Sequence, residues 1–443
     1  MSKTVSVPSA FCYAIAPTFF FFSAVCGAFI DAASVFGSDV AAVGVSLNEP
    51  ELQTVKEGFD ESKSESEGNF GFLTYHYDDG KGTIGVAIGG CVGPVPETLI
   101  IPNEIDGEPV RCIWVRAFEK RYNLKRVKLP DNLRSIRREA FYECTSLETV
   151  EFSEGLKTVD LRAFFGCKSL DDVKFPESLD TFGDFAFQGC ESLKRVKFPS
   201  KLRKIGHGSF WGCKSLKSVE FPDELQTISS DAFWGCVSLP EIKLPKKLVI
   251  LEDRAFAGCV SLTSLEMPEV LQVIGRYAFQ RCSFTSVKFN DSLQTISEGA
   301  FSGCNQLVSI ELPDSLKTIG ENAFYNCKLL EKIKFSSSLY SIGDEAFKSC
   351  DSLKSIELPD SLQLIGEDAF MSCESLTEVK VSSGLRWISS NAFLGCPLQN
   401  VEIPDSLPAA IVKRIPSGGK IKVTVRHISE STPDPDDGYS DGD

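Results

Sequence analysis

Apolar residues recur along most of this chain with a period far longer than that of a helix or a strand. An Ala-Phe pair (once Ser-Phe) begins at 117, 140, 163, 186, 209, 232, 255, 278, 300, 323, 346, 369 and 392. Every step is 23 residues except one of 22, where Cys282-Ser283-Phe284 lacks one residue of the usual Cys-x-Ser-Leu. The unit reads Leu-x-x-Ile-x-x-x-Ala-Phe-x-x-Cys-x-Ser-Leu-x-x-Val-x-Phe-Pro. A clean copy runs from Leu202 through Ile205, Phe210, Cys213, Leu216, Val219 and Phe221 to Pro222. A fixed period of this size is the mark of a repeat architecture.

Within the unit, Leu216-x-x-Val219-x-Phe221 ends in the alternation of a short strand with one buried face. Pro222 lacks a ladder donor and marks the strand exit. Leu225-x-x-Ile228 predicts a second short apolar segment, and Ser-Ser-Asp-Ala-Phe-Trp-Gly-Cys a tight turn or one helical turn, with Gly235 free to take a positive φ. One unit cannot bury its own apolar face, so stacked units must share a core. The expected fold is a solenoid, a right-handed leucine-rich-repeat coil of short parallel strands joined by turns. Thirteen rungs at strand spacing give a rod or shallow arc roughly 60 Å long.

These elements resemble the BspA-type leucine-rich repeats of bacterial and protist surface proteins. The resemblance covers about residues 70–427 and rests on Ala-Phe-x-x-Cys and Leu-x-x-Val-x-Phe-Pro. The entry segment shares it, with Tyr75-His76-Tyr77-Asp78-Asp79-Gly80, Ile100-Ile101-Pro102 and Ile105-Asp106-Gly107-Glu108-Pro109-Val110. The resemblance implies capping strands at entry and a binding or adhesion role at a cell surface, and it brings no catalytic residues.

The flanks differ in composition. From Thr4 to Ile30 there is no charge, and residues 10–30 form an apolar run long enough as a helix, about 31 Å, to cross a bilayer. A basic start at Lys3 and small residues at Cys26-Gly27-Ala28 or Ala32-Ala33 also fit a cleaved secretory signal. Residues 1–33 are therefore expected to be a signal peptide or a membrane anchor. Residues 34–68 are Ser-rich and acidic, and 428–443 hold Pro433, Pro435 and six acids. Neither can bury enough apolar surface to fold, so both are expected to be disordered. The solenoid is expected over 69–427, with an entry cap at 69–115, repeats from 116 and an exit cap at 405–427.

The net charge of −15 is concentrated in these flanks: residues 31–70 and 430–443 together carry −13. The repeats lack the sustained basic face that nucleic acid requires. Three histidines, far apart, and the absence of phosphate-loop, Gly-x-Ser-x-Gly or His-Glu-x-x-His motifs leave no expected metal, cofactor or catalytic site.

Four patterns remain as candidate chemistry. Twelve cysteines, every 22 or 23 residues from Cys144 to Cys396, occupy one repeat position and predict a column of buried free thiols packed as small hydrophobes. Cys91 and Cys112 lie outside the column and make the better disulfide candidate. The exposed strand residue alternates in sign through Lys128, Glu151, Lys174, Lys197, Glu220, Lys243, Glu266, Lys288, Glu311, Lys334, Glu357, Lys380 and Glu402, broken only at Lys174–Lys197. That alternation favours register and solubility over a ligand footprint.

The third pattern is basic: Arg116, Lys120, Arg121, Lys125, Arg126, Lys128, Arg134, Arg137 and Arg138 against Glu119 and Asp131, a net +7 in 23 residues. It could receive the acidic 49–67 spacer, an acidic glycan or the acidic distal half of another copy. The fourth is an aromatic stripe just after the Ala-Phe pair, Tyr142, Phe165, Trp211 and Trp234, interrupted by Gln188. If exposed, it marks a contact surface. Asn290-Asp291-Ser292 forms a glycosylation sequon. The functional expectation is a non-enzymatic binding protein, secreted or surface-displayed, contacting a protein or glycan and suited to adhesion, with self-association through its basic and acidic ends a further prospect. The alternative is an intracellular scaffold.

Overall fold

The computed structural model describes residues 70–80, 82, 84–416 and 422–426. The apolar run at 10–30, the acidic spacer and the acidic tail lie outside the described residues. What is described is a parallel β-solenoid, a leucine-rich-repeat coil of about 15 turns with almost no helix. Its rungs are numbered here from the Ala117-Phe118 pair, rung one, to Ala392-Phe393, rung thirteen.

Three sides arise from the three segments of each repeat. On the first side lie three-residue strands such as Arg126–Lys128, whose central Val is buried and whose outer residues are exposed. Their register is strict, Arg126 beside Thr149, Val127 beside Val150 and Lys128 beside Glu151. This strand side breaks twice, between Lys332–Lys334 and Ser355–Glu357 and between Ser218–Glu220 and Glu241–Lys243; at the latter Pro240 replaces the residue whose N–H elsewhere reaches back one rung, as Lys217 does to Lys194. On the second side lie two-residue strands such as Thr227–Ile228, also parallel and in register.

The third side is a hydrogen-bonded turn rather than a helical one. The Phe N–H donates to the Ala carbonyl of the next rung, as in Phe210 to Ala232 at 2.8 Å, and the residues two before and two after Phe likewise reach the next rung, Gly208 to the Ser230 carbonyl at 2.9 Å and Gly212 to that of Trp234 at 2.7 Å. Both flanking positions have positive φ: Gly208 and Gly212 at 55° and 71°, but Glu139 and Glu143 at 57° and 54°. A left-handed residue turns its peptide group along the solenoid axis, which is what lets each turn bond to the next. Among the described residues, seventeen non-glycine residues with positive φ, nearly all at these two positions, show how strongly the ladder enforces that conformation.

Inside, thirteen phenylalanines form one column from Phe118 to Phe393. Neighbouring rings stand 5.1–5.8 Å apart, within 20° of parallel. The cysteine column runs beside it, its thiols free and all but that of Cys396 buried. The thiols are more than space-fillers. Each Sγ–H donates to the Phe carbonyl of the preceding rung, Cys144 to Phe118 at 3.0 Å and Cys236 to Phe210 at 3.4 Å. Burial pushes the thiols up, Cys144 and Cys304 to about 12 and Cys167, Cys190, Cys327 and Cys350 well above the ordinary 9.0.

Entry is through an antiparallel hairpin of β1 (Gly71–Asp78) and β2 (Ile84–Val92). Strand β3 (Thr98–Ile100) begins the first side, β4 (Glu104–Ile105) turns back, and β5 (Glu108–Ile113) joins β2 to the second side. Cys91 and Cys112 are both free, which corrects their pairing as a disulfide. Cys91 packs in the main core, whereas Cys112 lies in a separate cluster with Tyr77 and Ala87 and accepts a bond from Ser135 Oγ at 3.2 Å. The sequon is likewise no acceptor in this fold: Asn290 is buried, and its amide donates to the carbonyls of Pro268 and Leu271 at 2.8 and 3.1 Å. Asn290 stands where most repeats have Pro, and its side chain occupies the carbonyls of the preceding rung.

At the exit, Lys422–Arg426 pairs parallel with Asn400–Pro404. Between them α1 (Ala409–Val412) leads into Arg414, whose guanidinium lies 3.9 Å from the centre of the Trp387 ring and donates to the Ile388 carbonyl. Among the described residues no helix is long and apolar enough to cross a membrane, and no His, Cys, Asp and Glu group could hold a metal ion.

Candidate contact surfaces

Most of the alternating charges on the strand side are paired, Lys174 and Lys288 excepted among the described residues. The alternating residues pair along the rungs: Lys128 with Glu151 at 4.0 Å, Lys197 with Glu220 at 3.4 Å, Lys243 with Glu266 at 3.6 Å, and Lys334 with Glu311 and Lys380 with Glu357 as close contacts. Lys174 and Lys197 sit side by side as the like-charged step. These pairs are exposed, so each contributes little stability. A shallow depression of about 340 Å³ on this side is lined by Glu357, Glu378, Lys380, Asn400 and Glu402. Its charges are engaged too, Asn400 with Glu378 at 3.0 Å and Glu402 with Arg426 at 3.4 Å.

The basic cluster does not converge on one patch, because 23 residues go once around the coil. Arg126 and Lys128 face the strand side, with Lys125 beside them bonded to Glu97 at 2.9 Å and Arg126 near Glu148 at 3.8 Å. Arg134 and Arg137 go to the second side, where Arg134 donates to the Gly155 carbonyl at 2.9 Å and half-buried Arg137 pairs with Asp160 at 3.3 Å. Burial raises the Asp160 carboxyl despite that partner. Arg121 takes the rung-one place of the cysteine column and is partly buried. Arg116, Lys120 and Arg138 reach the turn side. Arg116 holds Glu139 at 2.5 Å and Lys120 lies near Glu119 at 3.6 Å, while exposed Arg138 has no acidic partner among the described residues.

The aromatic stripe, by contrast, is brought together on the turn side and extended. Tyr142 stacks on Phe165 with ring centres 4.9 Å apart, and Trp211 meets Trp234 edge-on at 5.0 Å. The gap at Gln188 is filled by Phe185, two residues before Phe187, which lies 6.4 Å from Trp211. Arg162 bridges the rings, its guanidinium 5.9 Å from Phe165 and 5.6 Å from Phe185, and Lys120 lies 5.9 Å from Tyr142. The result is a band of five rings over rungs two to six. Four are partly exposed and Trp234 is more so, at 38%, and Val237 and Val260 add exposed apolar surface at rungs six and seven. Phe185, Arg162 and the two valines escape a reading confined to one repeat column. The available signal for Phe185 was an aromatic at a position otherwise filled by Gly or polar residues, Tyr277 apart.

Further along, the position of Arg138 is filled on rungs nine to twelve by Glu298, Glu321, Asp344 and Glu367. Arg276 approaches Glu298 at 3.8 Å and Lys348 pairs with Glu345 and Asp368 at 3.2 Å each. No Lys or Arg among the described residues pairs with Glu321, Asp344 or Glu367. Burial, helped by Glu298, Asp344 and Glu345, raises the Glu321 carboxyl.

Comparison with known proteins follows this geometry. A search of curated protein sequences returned no match. Among solved structures, a leucine-rich repeat protein from Bacteroides ovatus is 28% identical, with a TM-score of 0.64 over 82% of this chain and 100% of that one. A leucine rich cell surface protein from Faecalibacterium prausnitzii is 29% identical, with a TM-score of 0.54 over 80% of this chain and 99% of that one. The pneumococcal vaccine antigen PcpA, 19% identical with a TM-score of 0.50 over 81% and 92%, shares the fold. The family profile for the BspA type leucine rich repeat region matches residues 112–240, 226–353 and 295–411, so this chain belongs to the BspA-type leucine-rich-repeat family.

Proposed function

We propose that this chain is a non-enzymatic binding protein, secreted or displayed at a cell surface, that holds a protein or glycan partner on its turn side in the manner adhesion requires. One observation carries the reading: the band Tyr142–Phe165–Phe185–Trp211–Trp234, at least partly exposed along a regular ladder, bridged by Arg162 and flanked by Lys120. Flat aromatic faces bury large area at low entropy cost, which suits them to anchoring contacts. The strand side, with most of its charges paired internally, offers a charged ligand less. The cell-surface description of the Faecalibacterium neighbour supports the location.

The test is a binding screen of the full chain against arrayed glycans and arrayed extracellular proteins, repeated with Phe185→Ala, Trp211→Ala and Trp234→Ala. Each tryptophan change is expected to weaken a true contact about thirtyfold while leaving the thermal melt in place. Unchanged binding by all three variants would remove the band from the function. An intracellular scaffold is favoured by one observation, that every described cysteine is free. A reporter fused to residues 1–45 separates the two, export supporting the surface reading and cytosolic retention the scaffold.

A further inference from the structure

The two long faces of this solenoid treat charge in opposite ways. On the strand side the sign alternates from rung to rung and most of the residues pair. On the turn side one column carries Arg138 at rung two, Asp184 at rung four, Asp253 at rung seven and Arg276 at rung eight, and then four consecutive acids, Glu298, Glu321, Asp344 and Glu367, at rungs nine to twelve. Like charges one strand spacing apart repel, and the strand side shows that this repeat can alternate them. Glu298 is held by Arg276 and Tyr277 and Asp344 accepts the Glu367 backbone N–H at 2.6 Å, but four acids on successive rungs, with no base pairing Glu321, Asp344 or Glu367 among the described residues, remain an internal cost. The same face carries its complement at the other end, in Arg116 and Lys120 at rung one, Arg138 at rung two and Arg162 at rung three. Bases centred on rung two and acids centred between ten and eleven have their midpoint at rung six. That is the rung of Trp234, which is exposed and meets Trp211, with exposed Val237 on the same rung and exposed Val260 on the next.

We propose that two copies of this chain pair turn side to turn side, antiparallel, about a two-fold axis at Trp234, each basic end lying against the acidic rungs of the other. The proposal rests on reading the turn side as a contact surface and names its partner as a second copy. A two-fold axis across the solenoid keeps each repeat column opposite itself, so Arg138 of one copy meets Glu321 of the other, twice. Parallel pairing would set acid on acid. The contact is isologous and closed, giving a dimer rather than a fibre. Its anatomy, an apolar centre with charged flanks, is that of a protein interface. The strip from rung two to rung twelve is about 48 Å long at strand spacing, enough for an interface of standard size. An unrelated basic protein would satisfy the acidic rungs alone and would have no reason to place the apolar cluster midway between them and the basic end.

Sedimentation velocity on the full chain, in mild non-ionic detergent so that residues 10–30 do not associate, tests this. The expected result is a dimer at about 0.05 M salt that weakens at about 0.5 M. Lys120→Glu with Arg138→Glu should give a monomer, as should Glu321→Lys with Glu367→Lys, both with native melts. An equimolar mixture of the two double variants should form a one-to-one heterodimer, because each reversed end then meets its complement. A monomeric wild type at low salt, a dimer indifferent to both double variants, or a mixture of well-folded variants that stays monomeric would overturn the pairing. A monomeric wild type that still loses an arrayed ligand on Trp234→Ala would sink only the second copy and leave the contact surface standing.

Discussion

Each cysteine of the column solves a local problem set by the Phe turn. The Phe carbonyl already accepts the N–H of the Cys three residues on, and its remaining lone pair faces the next rung, where water cannot reach. A thiol satisfies it at little desolvation cost, being a small hydrophobe with a weak donor. A pH dependence follows. Burial raises Cys144 and Cys304 to about 12 and Cys167, Cys190, Cys327 and Cys350 well above 9.0, so the folded chain keeps these protons after the unfolded chain has lost them. A raised folded value means that the contribution is whole below pH 9 and is lost as pH climbs from 9 towards about 12. Each thiol forfeits about 1.4 kcal/mol per pH unit in that window. Summed over these six thiols, the loss is comparable with the stability of an ordinary domain by roughly pH 10 to 11. Circular dichroism against pH should therefore show cooperative unfolding there, shifted upward when several column cysteines are changed to Ala. A fold unmoved to pH 12 would mean that the thiols are less buried than described. The column, its inward direction and its free thiols were legible from spacing alone. The donor role was not, because the acceptor belongs to the previous rung.

The element that sequence reading resolved least well is the turn. Gly235 pointed to one left-handed position, but the second, before Ala, is glycine only at Gly208 and Gly299 and elsewhere holds residues such as Asp231, Arg254 or Glu345, so its glycine signal is weak. Inter-rung hydrogen bonds from both positions impose the conformation against side-chain preference. Where repeats carry Glu143, Arg281 or Ser349 in place of glycine, the left-handed conformation costs about 1 kcal/mol or more. Glycine would remove that cost and return part of it as unfolded-state entropy. Glu143→Gly is therefore expected to stabilise by about 0.5 kcal/mol, and Glu143→Val to destabilise by more than that. Hydrogen exchange of the Gly166 and Cys167 amides reports the effect locally, and a Glu143→Gly chain that melts earlier than wild type would refute it.

At the scale of the molecule, stability passes from rung to rung, since each unit touches only its neighbours. The Phe column makes that coupling concrete. Phe233→Ala removes a fully buried ring stacked on Phe210 and Phe256 and should cost about 3–5 kcal/mol. In the middle of the array such a defect uncouples two halves, so unfolding should split into two transitions with separate exchange protection. Phe393→Ala, at the last rung beneath the Arg414–Trp387 cap, should fray the exit end and leave a single main transition. One transition for both variants would show that coupling reaches beyond neighbours.

The sequence alone determined the repeat length, which residues face inward, the sign alternation on the strands and the family. All of these follow from periodicity, and a period read off the chain is the period of the coil. Tertiary structure decided which residues from different columns meet. It scattered the basic cluster over three sides, closed the aromatic band with Phe185 and set an acidic column on the face of Arg138. The reason is geometric: a residue's partners lie about 23 positions away, and which side of the coil it occupies depends on where the turns fall within each repeat.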